Sequence, residues 1–480
     1  MRSKLLIAFT IVAVGVQIAA AQDAKTVLQD AAKAMGDVKS IQFSGTGHLA
    51  ALGQAWNPSA PWPASVMKSY TRIVNYDSKS AREELVRNEG EQFLKGGGAP
   101  ITGDQRQVNL VSGQYAWNQP GPNPQPQVAA ADERQLQIWL TPHGFLKAAM
   151  ESNATAKKGK NGTEISFTAM GKYKVTGTID KQNMVAKVDT WMPNPVVGDM
   201  LIETTYSGYK DFGGVKFPTM IVQNQAGHPV LDLAVTDVKT NVPLDLAVPD
   251  AVKQAKAPAV QVQTQKLGEG VWWLGGGTHH SVVVEYPSYI AIIEGPLNEE
   301  RSLAVIQEAK KLVPNKPIKY LVNTHQHWDH SGGIRTYVAE GATIITNAMN
   351  KPYYEQTFKM PRTMAPDKLA QNPKKATFIT VKDKYVLADG GQSMQIYHIE
   401  NDNHNEGILM VYLPKDKVLV EADDFTPAPP NSPPPAPRAV VFSQNIYANI
   451  ERLKLDINTI APLHGFVVPY AQLLKAVGKG

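Results

Sequence analysis

Cysteine is absent from all 480 residues. That one absence excludes disulfides, thiol nucleophiles, iron–sulfur clusters, cysteine-ligated zinc and a lipid anchor on an N-terminal cysteine. Neither sign of charge dominates: 48 basic residues stand against 43 acidic ones, a net charge of +5. No dense Lys/Arg stripe with interleaved aromatics runs along the chain, so no nucleic-acid partner is expected. Charged residues make up 19% and hydrophobic ones 43%, the proportions of a globular chain rather than a disordered one. Internal repeats are lacking, and after residue 21 no apolar run is long enough to span a bilayer. The length leaves room for two or three domains at roughly 100–200 residues each. A chain without cysteine must take its stability from the size of its core, which this length permits.

What is present begins with an address. Arg2 and Lys4 precede an uncharged stretch from Leu5 to Ala21, which ends in Ala19-Ala20-Ala21 before Gln22-Asp23. A basic start, a short apolar middle and a small-residue end describe a secretory signal peptide over residues 1–21. Cleavage after Ala21 predicts an exported protein, periplasmic or secreted, with no stable membrane anchor left behind.

The remainder divides in two. Residues 25–38 predict a short amphipathic helix with Val27, Leu28, Ala31, Ala32, Met35 and Val38 on one side. Period-two patterns then dominate to about residue 240. Lys172 to Ile179 and Met184 to Trp191 read as strands joined by the hairpin connection Asp180-Lys181-Gln182-Asn183. A single helix is expected from Gln135 to Met150. Such strings build a large antiparallel sheet with one covered face, so residues 22–250 predict a mainly antiparallel β domain. The run from Tyr206 to Lys239, with its turn phrasing from Tyr209 to Pro218, resembles the curved sheets of bacterial lipoprotein-carrier domains, and the partner of this half, lipid or protein, is open. His48, His143 and His228 are isolated and read as ordinary surface or core residues. Residues 251–264, within a proline-dotted run from Pro243, predict a linker. From 265 to 480, strands at 271–275, 281–285 and 289–293 precede a helix from Glu299 to Val313 and a strand from Ile318 to Thr324. That alternation predicts an α/β domain.

The chemistry is concentrated in His325-Gln326-His327-Trp328-Asp329-His330, directly after the strand ending at Thr324 and before Ser331-Gly332-Gly333 and a helix. Three imidazoles and a carboxylate within six residues of a strand-to-helix loop can point at one location, where a strand would alternate them across its faces. Imidazole nitrogen with carboxylate oxygen suits zinc, iron or a similar divalent ion. Further ligands are expected from later strand ends: His404 in Asn403-His404-Asn405, Asp423 after the run Lys417 to Ala422, and His464 after the helix 443–455. Asp423 is preferred to its neighbour Asp424, whose side chain alternation sends the other way. His398, inside a strand, reads as a packed or pocket-edge residue. His279 and His280, after Gly275-Gly276-Gly277-Thr278, head a strand and read as a solvated pair at a turn, or, by the family resemblance given below, as a pair bordering the substrate pocket. Trp328 reads as packing under the loop, and Glu406 as a solvated turn carboxylate.

In this order the residues resemble the metallo-β-lactamase superfamily, whose motif is His-x-His-x-Asp-His, then His, then Asp, then His. The resemblance covers about 265–480 and implies an αββα sandwich with metals at one edge. It implies that His325, His327 and His404 hold one metal, that Asp329, His330 and His464 hold a second, and that Asp423 bridges them. The expected cofactors are two Zn2+, with Fe or Mn as substitutes. Two ions about 3.5–4 Å apart can share one water and bring its pKa toward neutrality. The chain thus resembles a binuclear metal-dependent hydrolase that would use a metal-bridging hydroxide on a small-molecule ester, lactone, thioester or amide, with Asp329 also orienting the nucleophile. The alternatives are a mononuclear iron dioxygenase of the persulfide type, or a non-catalytic lipid- or protein-binding module with a structural metal site. The third motif reads His404-Asn405 where the family usually has His-Thr or His-Ser.

Overall fold

The computed structural model describes residues 24–90, 94–98, 100–427 and 440–480. The expected signal peptide and residues 428–438 of the proline-rich stretch lie outside the described residues. Among those described, no helix is long and apolar enough to cross a membrane.

The N-terminal half is built on a 13-stranded antiparallel sheet, with Lys210–Asp211 and Lys216–Phe217 paired as a separate two-stranded ribbon. Ser40–Ala50 and His228–Thr240 pair at its middle, with Ile41 opposite Thr240 and Phe43 opposite Val238. Outward from the first run Ala64–Asn75, Ser80–Asn88 and Gln105–Ser112; outward from the second run Met220–Gln225, Gly198–Ser207, Val185–Asn194 and Tyr173–Asp180. Burial alternates along the strands, strictly so in Tyr173, Val175, Gly177 and Ile179, because one face is covered and the other is not. The cover is the helix 24–35 and two further helices, whose Leu28, Met35, Leu136, Ile138, Phe145 and Leu146 join Phe43, Val175, Ile202 and Leu233 in one core. The single helix expected from Gln135 to Met150 is two, Ala131–Trp139 and Pro142–Met150. Pro142 has no N–H to continue the first helix and fits the first turn of the second. Thr141 caps that turn, its hydroxyl oxygen accepting from Gly144 N at 3.2 Å.

The expected linker carries a short helix, Asp250–Gln254, whose Val252 packs on Val108, Leu110 and Trp117. Gln263–Gly268 then pairs with Val271–Gly275 at the edge of a seven-stranded sheet. That sheet continues through Ser281–Glu285 and Ile290–Ile293, and becomes parallel through Ile318–Val322, Thr343–Asn347 and Phe378–Val381. A six-stranded sheet faces it, running from Lys384–Asp389 through Gln392–His398, Leu409–Leu413, Val418–Glu421 and Thr459–Pro462 to Val468–Pro469. Val282, Val284, Ile293 and Val322 meet Met394, Ile396, Val411 and Val420 between the sheets. The alternate residues Val283, Ile292 and Leu321 pack outward on helices Glu299–Leu312 and Ile334–Glu340. Helix Val441–Leu453 covers the other sheet through Ile446 and Ile450. The result is a four-layer αββα sandwich.

The halves are in direct contact. Arg362 donates to the carbonyls of Asn194, Pro195 and Val196, and Asp199 accepts from the backbone of Thr363 and Met364. A second contact, through residues 51–57, lies over the strand ends where the histidines stand.

Candidate metal centre

The strand Ile318–Val322 ends in Asn323 and Thr324, and the short helix Trp328–Ser331 starts inside the histidine motif itself. Helix Ile334–Glu340 follows the glycine pair. A Cβ on Gly332 would stand 1.9 Å from Leu297 O, and one on Gly333 2.0 Å from Ser302 Oγ, so only glycine allows this close turn. His404 follows the strand Gln392–His398. Asp423, at φ 65°, follows Val418–Glu421. His464 comes directly after the strand Thr459–Pro462 rather than off the preceding helix.

All seven side chains converge. His325 Nε2 is 3.2 Å from His404 Nε2, and His330 Nε2 is 3.0 Å from His464 Nε2. The Asp423 carboxylate lies between these pairs. Its Oδ2 is 2.9 Å from His330 Nε2, 3.6 Å from His404 Nε2 and 3.7 Å from His325 Nε2, and its Oδ1 is 3.3 Å from His464 Nε2. Donor atoms of His325, His327 and His404 form one group able to hold an ion; those of Asp329, His330, His464 and His279 form another; Asp423 groups with His325 and His330.

Each of the five imidazoles is tied on its outer side. His325 Nδ1 is 3.0 Å from Thr324 Oγ1, His327 Nε2 2.9 Å from Ala55 O, and His404 Nδ1 2.6 Å from Gly97 O. His464 Nδ1 is 3.0 Å from Thr278 O, and His330 Nδ1 is 3.2 Å from Glu294 Oε2. A carbonyl or carboxylate oxygen only accepts, so each of these rings places a proton on its outer nitrogen, and in a ring kept neutral by burial, as His325 and His327 are, the inner nitrogen presents a lone pair. Thr324 donates its hydroxyl proton to Glu294, which leaves its oxygen to accept from His325. The inner His327 Nδ1 is buried without a partner. Inner lone pairs such as those of His325 and His327, held in a buried space, are costly unless a cation takes them.

The electrostatics agree. Burial first, then His330 and His327, hold His325 well below the ordinary histidine range. Burial and His404 push His327 down to about 3. Burial also opposes charge on His330, yet Asp423, Asp329 and Glu294 outweigh it and hold this ring well above its usual value. Burial would raise Asp423, but His330 and His404 hold it well below the carboxylate range. The donor set therefore fits divalent cations: neutral inner nitrogens on one side, and carboxylates that call for positive charge on the other.

The rival residues sort cleanly. Asp424 faces away from the histidines; burial, with Asp402 and Glu421 nearby, raises it well above the usual range. His279 joins the cluster, its Nε2 3.1 Å from Asp329 Oδ2 and its Nδ1 2.8 Å from Thr278 Oγ1. His280 turns the other way, to Gly465 O at 2.8 Å and against the Trp273 ring. Neither is the solvated turn residue of the bland alternative; both are buried. His398 Nε2 holds Glu406 O at 2.7 Å. Trp328 packs against Trp62 and donates to Tyr353 Oη. Glu406 is not simply solvated: its Oε2 accepts from Asn57 Nδ2 at 2.6 Å.

Sequence reasoning missed Glu294. Fully buried, at φ 73°, it accepts from Asn323 Nδ2 at 2.9 Å as well as from Thr324, and backs His330. Its only signal was a carboxylate closing the apolar strand before Gly295-Pro296. Also missed were Gln54, whose Nε2 donates to Asp329 Oδ1 at 2.8 Å, and the carbonyls of Ala55 and Gly97. No pattern in the chain marks these.

Comparison with known proteins places the same half. The model of the metallo-beta-lactamase superfamily matches residues 274–462, and the αββα sandwich with this cluster at its edge is the fold of that domain. A curated relative, a linear primary-alkylsulfatase from Pseudomonas sp. (strain ATCC 19151), is 23% identical over 218 residues, which cover 38% of this chain and 40% of the relative's length. Among solved structures, a metallo-beta-lactamase from Pontibacter korlensis is 19% identical and covers 46% of this chain and 98% of its own, with a TM-score of 0.36. A metallo-beta-lactamase from Hirschia baltica is 18% identical, covers 45% and 97%, and has a TM-score of 0.35.

Proposed function

We propose that this chain is an exported, binuclear metal-dependent hydrolase acting on a small ester, lactone, thioester or amide. The observation that carries this reading is the set of five imidazoles, each with its outer nitrogen on an acceptor and its inner nitrogen turned into the cluster around Asp423. On this reading His325, His327 and His404 hold one ion, Asp329, His330 and His464 hold another, and Asp423 lies between them. Divalent ions so placed would supply Lewis acidity and lower the pKa of a water toward neutrality.

The chain's own residues set the stage for that chemistry. Asp423 fixes the spacing of the two ligand groups and contributes the negative charge between them. Asp329 has both oxygens engaged, one by Gln54 and one by His279, so it presents a defined edge to an incoming water. Glu294 keeps the His330 proton on the outer nitrogen. Neither a nucleophilic side chain nor a covalent intermediate is required. The family match and the alkylsulfatase relative support hydrolysis as the class, and the relative's name adds sulfate esters to the substrates worth assaying.

The test is elemental analysis of freshly purified protein together with a panel of carboxylic esters, lactones, thioesters, sulfate esters, phosphodiesters and β-lactams, with and without a chelator. Two divalent ions per chain and a chelator-sensitive activity are expected. Fewer than one ion per chain, or hydrolysis indifferent to chelation, would sink the reading.

A further inference from the structure

The N-terminal half reaches the metal centre through two straps. The first leaves the strand Ser40–Ala50 and runs through Gly53, Gln54, Ala55, Trp56 and Asn57. Gln54 Nε2 donates to Asp329 Oδ1 at 2.8 Å. Ala55 O accepts from His327 Nε2 and from Gln326 Nε2, each at 2.9 Å. Trp56 Nε1 donates to Asp402 O at 2.9 Å, and Trp56 O accepts from Glu406 N at 2.8 Å. The second strap is residues 94–98. Its Gly96 N donates to Asn403 O at 2.8 Å, and its Gly97 O accepts from His404 Nδ1 at 2.6 Å. The straps also hold each other, since Gly97 N donates to Gln54 O at 2.9 Å.

Space is as tight as the bonding. Gly53 has φ +71°, and a Cβ there would stand 2.2 Å from the Trp328 ring. Gly96 has φ +84°, and a Cβ there would stand 2.6 Å from Gln54 O. The first strap is thus pressed onto the loop 325–330 and the second onto the first, while their hydrogen bonds reach both 325–330 and 402–406.

We infer that the metal centre is composite: the N-terminal half sets its metal affinity by orienting His327, His404 and Asp329 through Ala55 O, Gly97 O and Gln54 Nε2, and Gln54 is a positioning residue for Asp329. This rests on the metal-binding reading above and extends it to the half of the chain that carries no ligand. An outer partner fixes the tautomer and direction of a ligating histidine, or the rotation of a carboxylate, and its loss typically weakens metal binding by about 10–100-fold. Here those partners come from a different sheet system, so the fit of the two halves is written into the affinity of the site.

The experiment uses the full chain and the variants Gln54→Ala and Gln54→Met. Zn2+ affinity is read by competition with a chromophoric chelator, the absorption of the Co2+-loaded protein reports ligand geometry, and unfolding of the metal-free proteins checks the fold. If Gln54 acts by donating to Asp329, both variants bind the weaker ion about 10-fold less tightly, and both change the Co2+ spectrum while unfolding like the parent. Methionine fills the same volume without a donor, so recovery of parental affinity and spectrum in Gln54→Met would reduce Gln54 to packing and overturn the inference. Parental affinity in both variants overturns it too. Fewer than one ion in the unaltered chain overturns the functional reading and this inference together, whereas two tightly held ions in all three proteins overturn this inference alone.

Discussion

Along Tyr173–Asp180 in the first half every second residue is buried, whereas along Leu409–Leu413 in the second half every residue is. The first pattern belongs to a sheet with one covered face, the second to a sheet enclosed on both. The difference decides where chemistry can stand. A sheet enclosed on both sides has no free face, so its polar groups collect at strand ends, where loops can aim several of them at one point. The open antiparallel sheet spends its covered face on a single core and, among the described residues, has one deeply buried histidine there, His143, stacked on Phe217. Its contribution to the site comes instead from loop tips.

If the halves divide labour in this way, their variants should fail differently. The largest effect is expected at the centre: Asp423→Ala removes the carboxylate between the two ligand groups. Metal content should fall to one ion per chain or fewer, with turnover down about 1,000-fold or more, the equivalent of several kcal/mol of lost charge stabilisation. Elemental analysis beside the chelator-sensitive assay measures both. In the other half, Phe145→Ala opens a cavity beside Phe167 and Gly177 and should cost about 3–5 kcal/mol in denaturant unfolding. Its folded fraction should still bind two ions; loss of metal from that fraction would mean the halves are not separable in this sense.

The pH dependence should set the halves apart next. Burial, with the Lys147 ammonium adding to it and Asp37 opposing, pushes His143 down to about 4. A histidine that titrates lower in the folded state than in the unfolded one favours folding fully above about pH 6.5, and that contribution is lost as the pH falls toward 4, roughly 3 kcal/mol in all. Urea midpoints of His143→Leu should be flatter than those of the parent across that window, and equal slopes would remove the assignment. Glu294→Gln keeps the shape behind His330 but loses the charge, and Zn2+ affinity should drop about 10–100-fold; since both Glu294 oxygens accept, the amide leaves a buried donor unpaired and unfolding of the metal-free protein should also lose about 1–3 kcal/mol. The smallest effect belongs to Thr141→Ala, which removes the cap of helix Pro142–Met150 and should lower stability by about 1 kcal/mol while leaving metal content unchanged.

Coordination chemistry admits few residue types, so His325, His327, Asp329, His330, His404, Asp423 and His464 could be picked out of the chain in order, and the alternation of apolar and polar residues made the strands visible before any fold was known. The same rule failed at the helix expected from Gln135 to Met150, because apolar periodicity passes through Pro142 as if it were not there. Whether His279 and His280 act as a pair was also beyond pattern: adjacent residues leave a loop in whatever directions its backbone dictates, and only His279 meets Asp329. Ligand identity and strand rhythm are properties of side chains and can be read locally. Thr324, Thr278 O and Glu294 aim ligands from within their own half; the other aiming groups are two backbone carbonyls and an amide, Ala55 O, Gly97 O and Gln54 Nε2, which almost any stretch of chain could supply. Only the docking of one half on the other selects which of them meet the histidines, because that choice is made by packing between residues hundreds of positions apart.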